Sequence, residues 1–507
     1  MENLGMAISK PSAKDVLLTH SYFLHFDTKE LRAMMPYPPL GTLYAASALR
    51  HNGFSVFLFD SMLATAEEEL VEHISRERPR VVLVFDDDFN YLTKMCLSRM
   101  REATFRMARI AKKAGCIVVV HGSDSVDHLT EYFANCVDYV ICGEGEQTLV
   151  ECIAFLLREQ GTLENIRGLS YKRDGEIALN APRPAARNLD TMPFPAWDLI
   201  EVHRYRNLWK EHHGYFSLNM VTTRGCPYHC NWCAKPIYGQ VYNSRSPQNV
   251  VEEMLYLKEK LMPDHLWFCD DIFGLRPGWI PAFSEEVTQR DAVIPYKCLS
   301  RVDLLLKEDT VEHLRRSGCH TVWVGAESGS QKVLDAMEKG TTVEQIYEAS
   351  ARLQEAGIRV GFFLQYGYPG EEKEDIERTL QMVRDCKPDE IGISVSYPLP
   401  GTKFYDRVAN QMGSKHNWVE SDDLEVMFQG RYQPEFYRVL HKVTHKQFRM
   451  WQGLDFLKES FLNPSSINRS RLRRIASVGY HFVTLPPLES KLRSLAHSGN
   501  GNSSRSS

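Results

Sequence analysis

The sequence predicts an α/β protein made of two successive blocks of βα units followed by a small helical C-terminal region. Two observations carry this. Short apolar runs alternate with helix-length amphipathic segments five times before residue 160 and six more times between residues 216 and 430; strand-length runs alternating with helical patterns build parallel sheets covered by helices. Beyond residue 430 the strand-length runs stop and aromatic residues recur at helical spacing. At 507 residues the chain is long enough for two or three domains, each with a full core.

In the first block the strand-like runs are residues 16–18, 56–59, 81–85, 117–120 and 137–141. Helical patterns cover 40–51, 66–77, 99–113, 126–133 and 146–158. Ligands of an open parallel sheet bind outside the carboxyl ends of its strands, so the loops 20–39, 60–62, 86–90, 121–125 and 143–146 are the ones to watch. Asp86-Asp87-Asp88 reads there as an acidic, solvated loop, with a metal site as the alternative. His20 reads as a hydrogen-bonded loop residue. A nucleotide- or flavin-binding module shares this topology, but the Gly-x-Gly-x-x-Gly turn that would favour it is absent after the first strand.

Residues 161–215 read as a connector. Runs 169–171 and 176–179 flank Asp174-Gly175, a hairpin signal. Pro182, Pro184, Pro193 and Pro195 then exclude a helix or a central strand, leaving an extended linker strapped over the core by Phe194 and Trp197.

The second block has strand-like runs at 218–222, 265–269, 296–299, 321–324, 359–364 and 390–395, with helical patterns at 250–260, 309–317, 343–356 and 374–386. Active sites of βα barrels gather at the carboxyl ends of the strands. The polar residues found there are Asp270-Asp271, Arg301, Glu327-Ser328, Gln365 and Ser396-Tyr397. Glu327 is the strongest of them, because an acid is costly to bury without purpose. Asp271 capping a turn and Arg301 pairing with an acid are the bland alternatives. Residues 432–445 and 447–457 read as two helices with aromatic faces that serve a core, and 496–507, rich in Gly, Ser and Asn, as a disordered tail.

Just after the first strand of the second block comes Cys226-Pro227-Tyr228-His229-Cys230-Asn231-Trp232-Cys233. Three thiolates in one short loop can converge on one metal centre. Zinc sites and iron–sulfur clusters usually draw four protein ligands, so a loop of three leaves one position open. The competing zinc knuckle wants a second ligand pair nearby, and no CxxC or HxxxH follows.

This stretch, with the aromatic Trp232 before its third cysteine, resembles the signature of radical S-adenosylmethionine (SAM) enzymes. The resemblance implies a partial (βα)6 barrel over residues 216–430. It implies a 4Fe–4S cluster on Cys226, Cys230 and Cys233, with SAM chelating the fourth iron. It also implies cofactor contacts from Glu327 and Ser328 to the ribose or amino acid end of SAM, from the Asp271 segment to its amino group, from Arg301, and from Gln365 and Tyr397 to its adenine.

Pro38-Pro39-Leu40-Gly41-Thr42-Leu43-Tyr44, His121-Gly122-Ser123-Asp124-Ser125 and Cys142-Gly143-Glu144-Gly145-Glu146 resemble the cobalamin-binding domain that precedes the barrel in one large subgroup. That implies a five-unit Rossmann-like (flavodoxin-like) sheet over residues 1–160 and cobalamin contacts from Gly41, Gly122, Ser123, Gly143, Glu144 and Gly145. His121 stands where that domain usually has Gly. The Asp-x-His-x-x-Gly motif that supplies a lower-face histidine is absent. Residues 362–371 and 393–402, with Asp422-Asp423-Leu424, Met427-Phe428-Gln429-Gly430 and Phe436-Tyr437-Arg438, resemble the branch that includes the anaerobic magnesium-protoporphyrin monomethyl ester cyclase. The resulting division is 1–160, 161–215, 216–430 and 431–507.

The activity so implied is reductive cleavage of SAM to a 5′-deoxyadenosyl radical, hydrogen abstraction from an unactivated carbon, and methyl transfer from methylcobalamin. Radical oxidative cyclisation or hydroxylation is one alternative, and a non-catalytic corrinoid- or redox-sensing protein another. The partners implied are a small-molecule substrate and a low-potential electron donor such as a flavodoxin or ferredoxin. A formal net charge of −5 offers no basic field for nucleic acid. No run reaches the ~18 apolar residues of a membrane span, and residues 1–14 lack the apolar core of a signal peptide. Apart from the trio the 12 cysteines are scattered, which suits a reducing cytoplasm.

Overall fold

The computed structural model describes residues 15–89, 96–234, 237–413, 424–462 and 469–499. They fall into two compact units that do not follow the divisions drawn from the sequence. The first holds the described residues up to Pro227 together with 237–270; the second holds 228–234, 271–413 and those from 424 onward.

The first unit is built on a seven-stranded sheet, ordered β2-β1-β3-β4-β5-β6-β7. Its strands are β1 (Val16–Thr19), β2 (Val56–Leu58), β3 (Val81–Phe85), β4 (Ile117–His121), β5 (Tyr139–Ile141), β6 (Leu169–Arg173) and β7 (Glu176–Leu179). The first five are parallel, in the 2-1-3-4-5 order of flavodoxin-like sheets. Side chains alternate between two cores. Val16, Leu18 and Leu83 join Leu149 and Ile153 on one face, and Leu17, Val82 and Val84 join Met107 and Ala111 on the other. Burial on both faces explains why β3 is apolar throughout.

The hairpin β6–β7, expected within the linker, instead completes this sheet antiparallel to β5. Its turn residues Asp174 and Gly175 have φ of 52° and 87°, as a two-residue type I′ turn demands.

The solvated acidic loop is corrected. Asp86, Asp87 and Asp88 are all buried. Asp87 accepts the backbone N–H of Leu40 (3.2 Å) and Gly41 (3.0 Å). It thereby satisfies the start of the helix Leu40–His51, whose N-cap is a proline without a capping side chain. Asp86 accepts the N–H and Oγ–H of Ser21 at 2.8 and 2.7 Å; burial nonetheless pushes its carboxyl up to about 6. The Asp86 and Asp87 carboxylates are inside because backbone donors need them there.

All six strands of the expected partial barrel are present. β8 (Ser217–Met220) and β11 (His265–Phe268) pair in parallel in the first unit. Between them β9 (Thr223–Arg224) and β10 (Asn243–Ser244) pair antiparallel and pinch off the loop that carries the cysteines. Gly225, at φ 80°, fits this pinch because a Cβ there would strike the Val241 carbonyl. In the second unit β12 (Tyr296–Ser300), β13 (Cys319–Glu327), β14 (Arg359–Tyr366) and β15 (Glu390–Val395) follow one another in parallel. The helix Val343–Glu355 packs against β13 and β14.

Two corrections concern the C-terminal region. Residues 434–462 form one continuous helix, Pro434–Leu462, rather than two. Arg469–Gly499 forms a second long helix packed on the first, so the expected tail is helical as far as Gly499. The pair Pro486-Pro487 hides this helix from a sequence reading. The carbonyls the prolines leave without a donor belong to Phe482 and Val483, which are exposed to water. The expectations for residues 1–14, Asp422, Asp423 and 500–507 lie outside the described residues. Among those described, no helix is long and apolar enough to cross a membrane.

The connector is tied down by one buried acid. Trp197 Nε1 donates to Glu253 Oε1 at 3.1 Å, and Arg245 Nη1 donates to Glu253 Oε2 at 2.5 Å while its guanidinium lies over Phe194. Glu253→Ala strips the buried Arg245 charge of its counter-ion and is expected to lower unfolding free energy in urea titrations by about 3–5 kcal/mol.

Candidate active site

The cysteine loop is fastened through Asn231. In the second unit its backbone N–H donates to Met337 O (3.1 Å) and its carbonyl accepts from Phe404 N–H (2.9 Å). Its Nδ2 donates to Ala336 O (2.8 Å) and its Oδ1 accepts from Tyr368 Oη (2.7 Å). The residues on either side are held by cations: the Arg301 guanidinium lies 3.6 Å from the centre of the Tyr228 ring, and Lys339 Nζ 5.9 Å from that of Trp232. Cys233 N–H donates to Cys230 O at 3.2 Å, turning the loop between these two half-buried cysteines. Cys226 is buried in the first unit. All three are free of disulfides. Among the described residues no three His, Cys, Asp or Glu side chains are grouped for a single metal ion. The three-thiol donor set suits a multi-iron cluster, in which each iron takes its own thiolate.

Glu327 ends β13 with φ 56°, a left-handed conformation unusual for a residue with a side chain. Its buried Oε1 accepts from Lys339 Nζ at 2.7 Å. Gly325 makes room, since a Cβ there would sit 2.5 Å from both of those atoms. Burial opposes the Lys339 charge, but Glu327 and the Cys230 thiol outweigh it and hold the ammonium above its ordinary range. Arg301 Nη2 donates to Lys339 O at 3.1 Å and Nε to Asp303 at 2.9 Å. The structure therefore brings Glu327, Arg301 and Cys230 to one place around Lys339, a residue the sequence reading passed over.

The other barrel residues differ in role. The Ser328 hydroxyl lies 3.1 Å from Thr379 Oγ1 on the helix Lys373–Cys386 and accepts the Ser330 N–H, so it is already engaged by this helix and by its own turn. Asp271 is exposed, whereas its neighbour Asp270 is buried and accepts N–H and Oγ–H from both Thr222 and Thr223 at 2.7–2.9 Å. Asp270 thus shapes the strand end that leads into the cysteine loop. Tyr397 is buried. Gln365 Oε1 and Ser396 Oγ are buried without a hydrogen-bonding partner among the described residues, the condition in which a bound ligand is expected to supply one.

In the first unit the turn at 143–146 grips the residue that opens the cysteine loop. Arg224 is buried and binds Glu144 through Nη1 and Glu146 through both terminal nitrogens, at 3.0 and 2.5 Å for the latter. The rings of Tyr44, Phe89 and Tyr238 surround its guanidinium at 5.3–5.6 Å. Burial opposes both charges, yet Arg224 keeps Glu146 ionised, while burial drives the Glu144 carboxyl up. Two carboxylates on one guanidinium account for that split.

Gly143, at φ 75°, has the Ile237 carbonyl 3.9 Å from where a Cβ would be, and its own carbonyl accepts Nε2–H of His121 at 2.9 Å. His121 lies flat on Phe85 with ring centres 3.9 Å apart, and burial holds it neutral. Gly145 leaves room for that imidazole, Gly122 for the Asp86 carboxylate and Gly41 for the Asp87 backbone. Ser123 opens the short helix Ser123–Asp127 and is half-buried. His20 is a hydrogen-bonded loop residue, 3.2 Å from Asp60. Asn231 and Arg224 sit within or beside the cysteine motif, whereas Lys339 adjoins no motif; the partners of all three become neighbours only on folding.

A family model described as the radical SAM superfamily matches residues 220–383, and one described as a B12 binding domain matches residues 32–153. An uncharacterized methyltransferase of Pyrococcus horikoshii is 31% identical over 388 residues, covering 75% of this chain and 81% of that protein. The anaerobic magnesium-protoporphyrin IX monomethyl ester cyclase of Rubrivivax gelatinosus is 24% identical over 408 residues, 76% of this chain and 69% of its own. Among solved structures, the cobalamin-dependent S-adenosylmethionine radical enzyme OxsB with aqua-cobalamin and SAM bound shares the fold. Its TM-score is 0.70 at 17% identity, over 92% of this chain and 70% of that one.

Beside the Asn231 clasp, Glu371 accepts the Gly367 N–H at 2.6 Å while its other oxygen is buried without a partner. Burial pushes its carboxyl from 4.5 to about 8. The folded state therefore holds this proton where the unfolded chain releases it. Its stabilising contribution is complete below about 4.5 and is lost as pH rises toward about 8. Denaturation midpoints measured across that window should fall for the wild type and stay flatter for Glu371→Gln.

Proposed function

From the premise that the chain belongs to the radical SAM enzymes that carry a B12-binding domain, with a 4Fe–4S cluster, SAM and cobalamin as cofactors, we propose that it methylates an unactivated carbon of a small molecule. The observation that carries the site assignment is the buried Glu327–Lys339 pair beside Cys230. The cluster supplies the electron that cleaves SAM, and cobalamin supplies the methyl group.

This chain's residues do the rest. Cys226, Cys230 and Cys233 hold the irons. Asn231 keeps their loop in one shape. Lys339 is a fixed cation that offsets the thiolate and the carboxylate of SAM, and Glu327 holds it in place. Arg301 keeps Lys339 and Tyr228 in register. Gln365 and Ser396 present unsatisfied buried polar atoms to the adenine, with Tyr397 beside them. The turn Gly143-Glu144-Gly145, with Gly41, Gly122 and Ser123, forms the cobalamin side. Gly143 lets a ligand come near the backbone, and the other glycines let its supports pack. Burial of these groups excludes water, which a carbon radical site requires. A low-potential donor such as a flavodoxin or ferredoxin, in the cytoplasm, completes this reading.

Methyl transfer is supported by the relative at 31% identity, a methyltransferase by name. The similarity to the cyclase favours a second reading, radical oxidation with ring closure. The two differ in product count: methyl transfer yields S-adenosylhomocysteine alongside deoxyadenosine in each turnover, whereas oxidation yields deoxyadenosine without it. Chromatography of anaerobic reactions should find both nucleosides in equal amounts. Cys226→Ala, Cys230→Ala or Cys233→Ala should each abolish deoxyadenosine formation. If Cys233→Ala still forms it, the cluster assignment is wrong. Lys339→Met should raise KM for SAM at least tenfold, with the cluster's visible absorbance retained.

A further inference from the structure

The barrel strands of the second unit have one closed face and one open face. On β12, β13 and β14 the residues Tyr296, Cys298, Val322, Val324, Val360, Phe362 and Leu364 are buried. Of those between them, Lys297, Leu299, Trp323, Gly325 and Phe363 are half-buried while Gly361 is buried, and on β15 Gly392, Ile393 and Ser394 are all half-buried. A closed βα barrel fills its interior with layers of branched aliphatic side chains. Here the open face carries two large aromatics with water access instead.

Their neighbours are cut away to fit them. Trp323 lies opposite Gly361 and Phe363 opposite Gly392 in the strand register. A Cβ at Gly361 would collide with the indole, and one at Gly392 would stand 3.3 Å from the Phe363 ring and 3.4 Å from Trp323. The two rings are 4.7 Å apart and inclined by 32°. Side chains at those two positions would lift the rings off the sheet; at this separation the rings partly stack on one another, and the glycines let the stacked pair settle against the sheet. Gly325 and Glu327 continue the same strand from Trp323, so the stacked rings adjoin the Glu327–Lys339 pair.

We propose that Trp323 and Phe363 form the floor of the substrate site and select a flat, conjugated, apolar ring system over a flexible aliphatic chain. Offset stacking on such a floor rewards a planar partner beyond the area it covers. This rests on the reading that the Glu327 end of the strands is where SAM acts.

The test is anaerobic equilibrium dialysis of the reconstituted holoenzyme, with acridine as the flat probe and decanol as the flexible one. Acridine should bind the wild type at least tenfold more tightly than Trp323→Leu or Phe363→Leu, while decanol changes less than twofold. Gly361→Ala should weaken acridine similarly, because its methyl displaces the indole. Trp323→Tyr should recover most of the binding, which a merely misfolded site would not do. Equal acridine affinity in wild type and Trp323→Leu, or a parallel loss of decanol, overturns the proposal. Dialysis does not depend on SAM cleavage. An enzyme that binds acridine through Trp323 but forms no deoxyadenosine would overturn the function and leave the floor standing; the reverse pattern would overturn the floor alone.

Discussion

Every hydrogen-bonding group of Asn231 has a partner, and the cysteine loop depends on it. Residues 225–234, which carry Cys226, Cys230 and Cys233, form neither helix nor strand, so no ladder of backbone hydrogen bonds stiffens them. The loop's rigidity has to come from outside. Asn231 provides it with one side chain and one peptide unit, bonded to the Ala336–Met337 helix end, Tyr368 and the start of the helix Lys403–Val408. Buried hydrogen bonds of this kind are individually modest, but leaving any one of them unmade is costly. Four around one residue define a single loop conformation.

Buried charge is the second theme. Lys339, Arg224 and Arg245 are all buried, and each is met by a carboxylate: Glu327, the Glu144–Glu146 pair and Glu253. Such pairs add little net stability relative to apolar packing, but breaking one is severe, so they fix geometry. Two of the three stand beside the cysteine loop in sequence or in space: Arg224 two residues before Cys226, and Lys339 near enough to Cys230 to sense its charge. Three other buried acids follow a related rule. Asp86, Asp87 and Asp270 accept backbone and hydroxyl donors at strand and helix ends, converting loose termini into fixed ones.

Several glycines of this protein supply space and not conformational freedom. Gly325 admits an ion pair and Gly361 an indole. The space over Gly122 and Gly145, expected to bring backbone to the corrin, is filled by Asp86 and His121 of the same unit, and Gly143 is the least crowded of the three, with the Ile237 carbonyl at 3.9 Å. A glycine in a ligand-binding turn can support the ligand at one remove, by letting the groups beneath it pack.

Much of this was legible in the sequence. Alternation of apolar runs and helical patterns marked the eleven principal strands, because strand burial depends on local period and composition. The CxxxCxxC spacing marked the cluster loop, and Glu327 was singled out because an acid at a strand end is costly to bury. Other features were settled by residues that meet only after folding. The hairpin β6–β7 joined the sheet because β5 offered an unpaired edge. Asp86 and Asp87 went inside because Ser21, Leu40 and Gly41 carried donors that needed them. Pro486-Pro487 stayed within a helix on a stretch where Phe482 and Val483 are exposed. Lys339 became part of the site through Glu327, twelve residues away, and Asn231 through partners more than one hundred residues distant. Local period and spacing are properties of the chain by itself; which donor meets which acceptor is a property of its path through space, and the tertiary structure alone decides it.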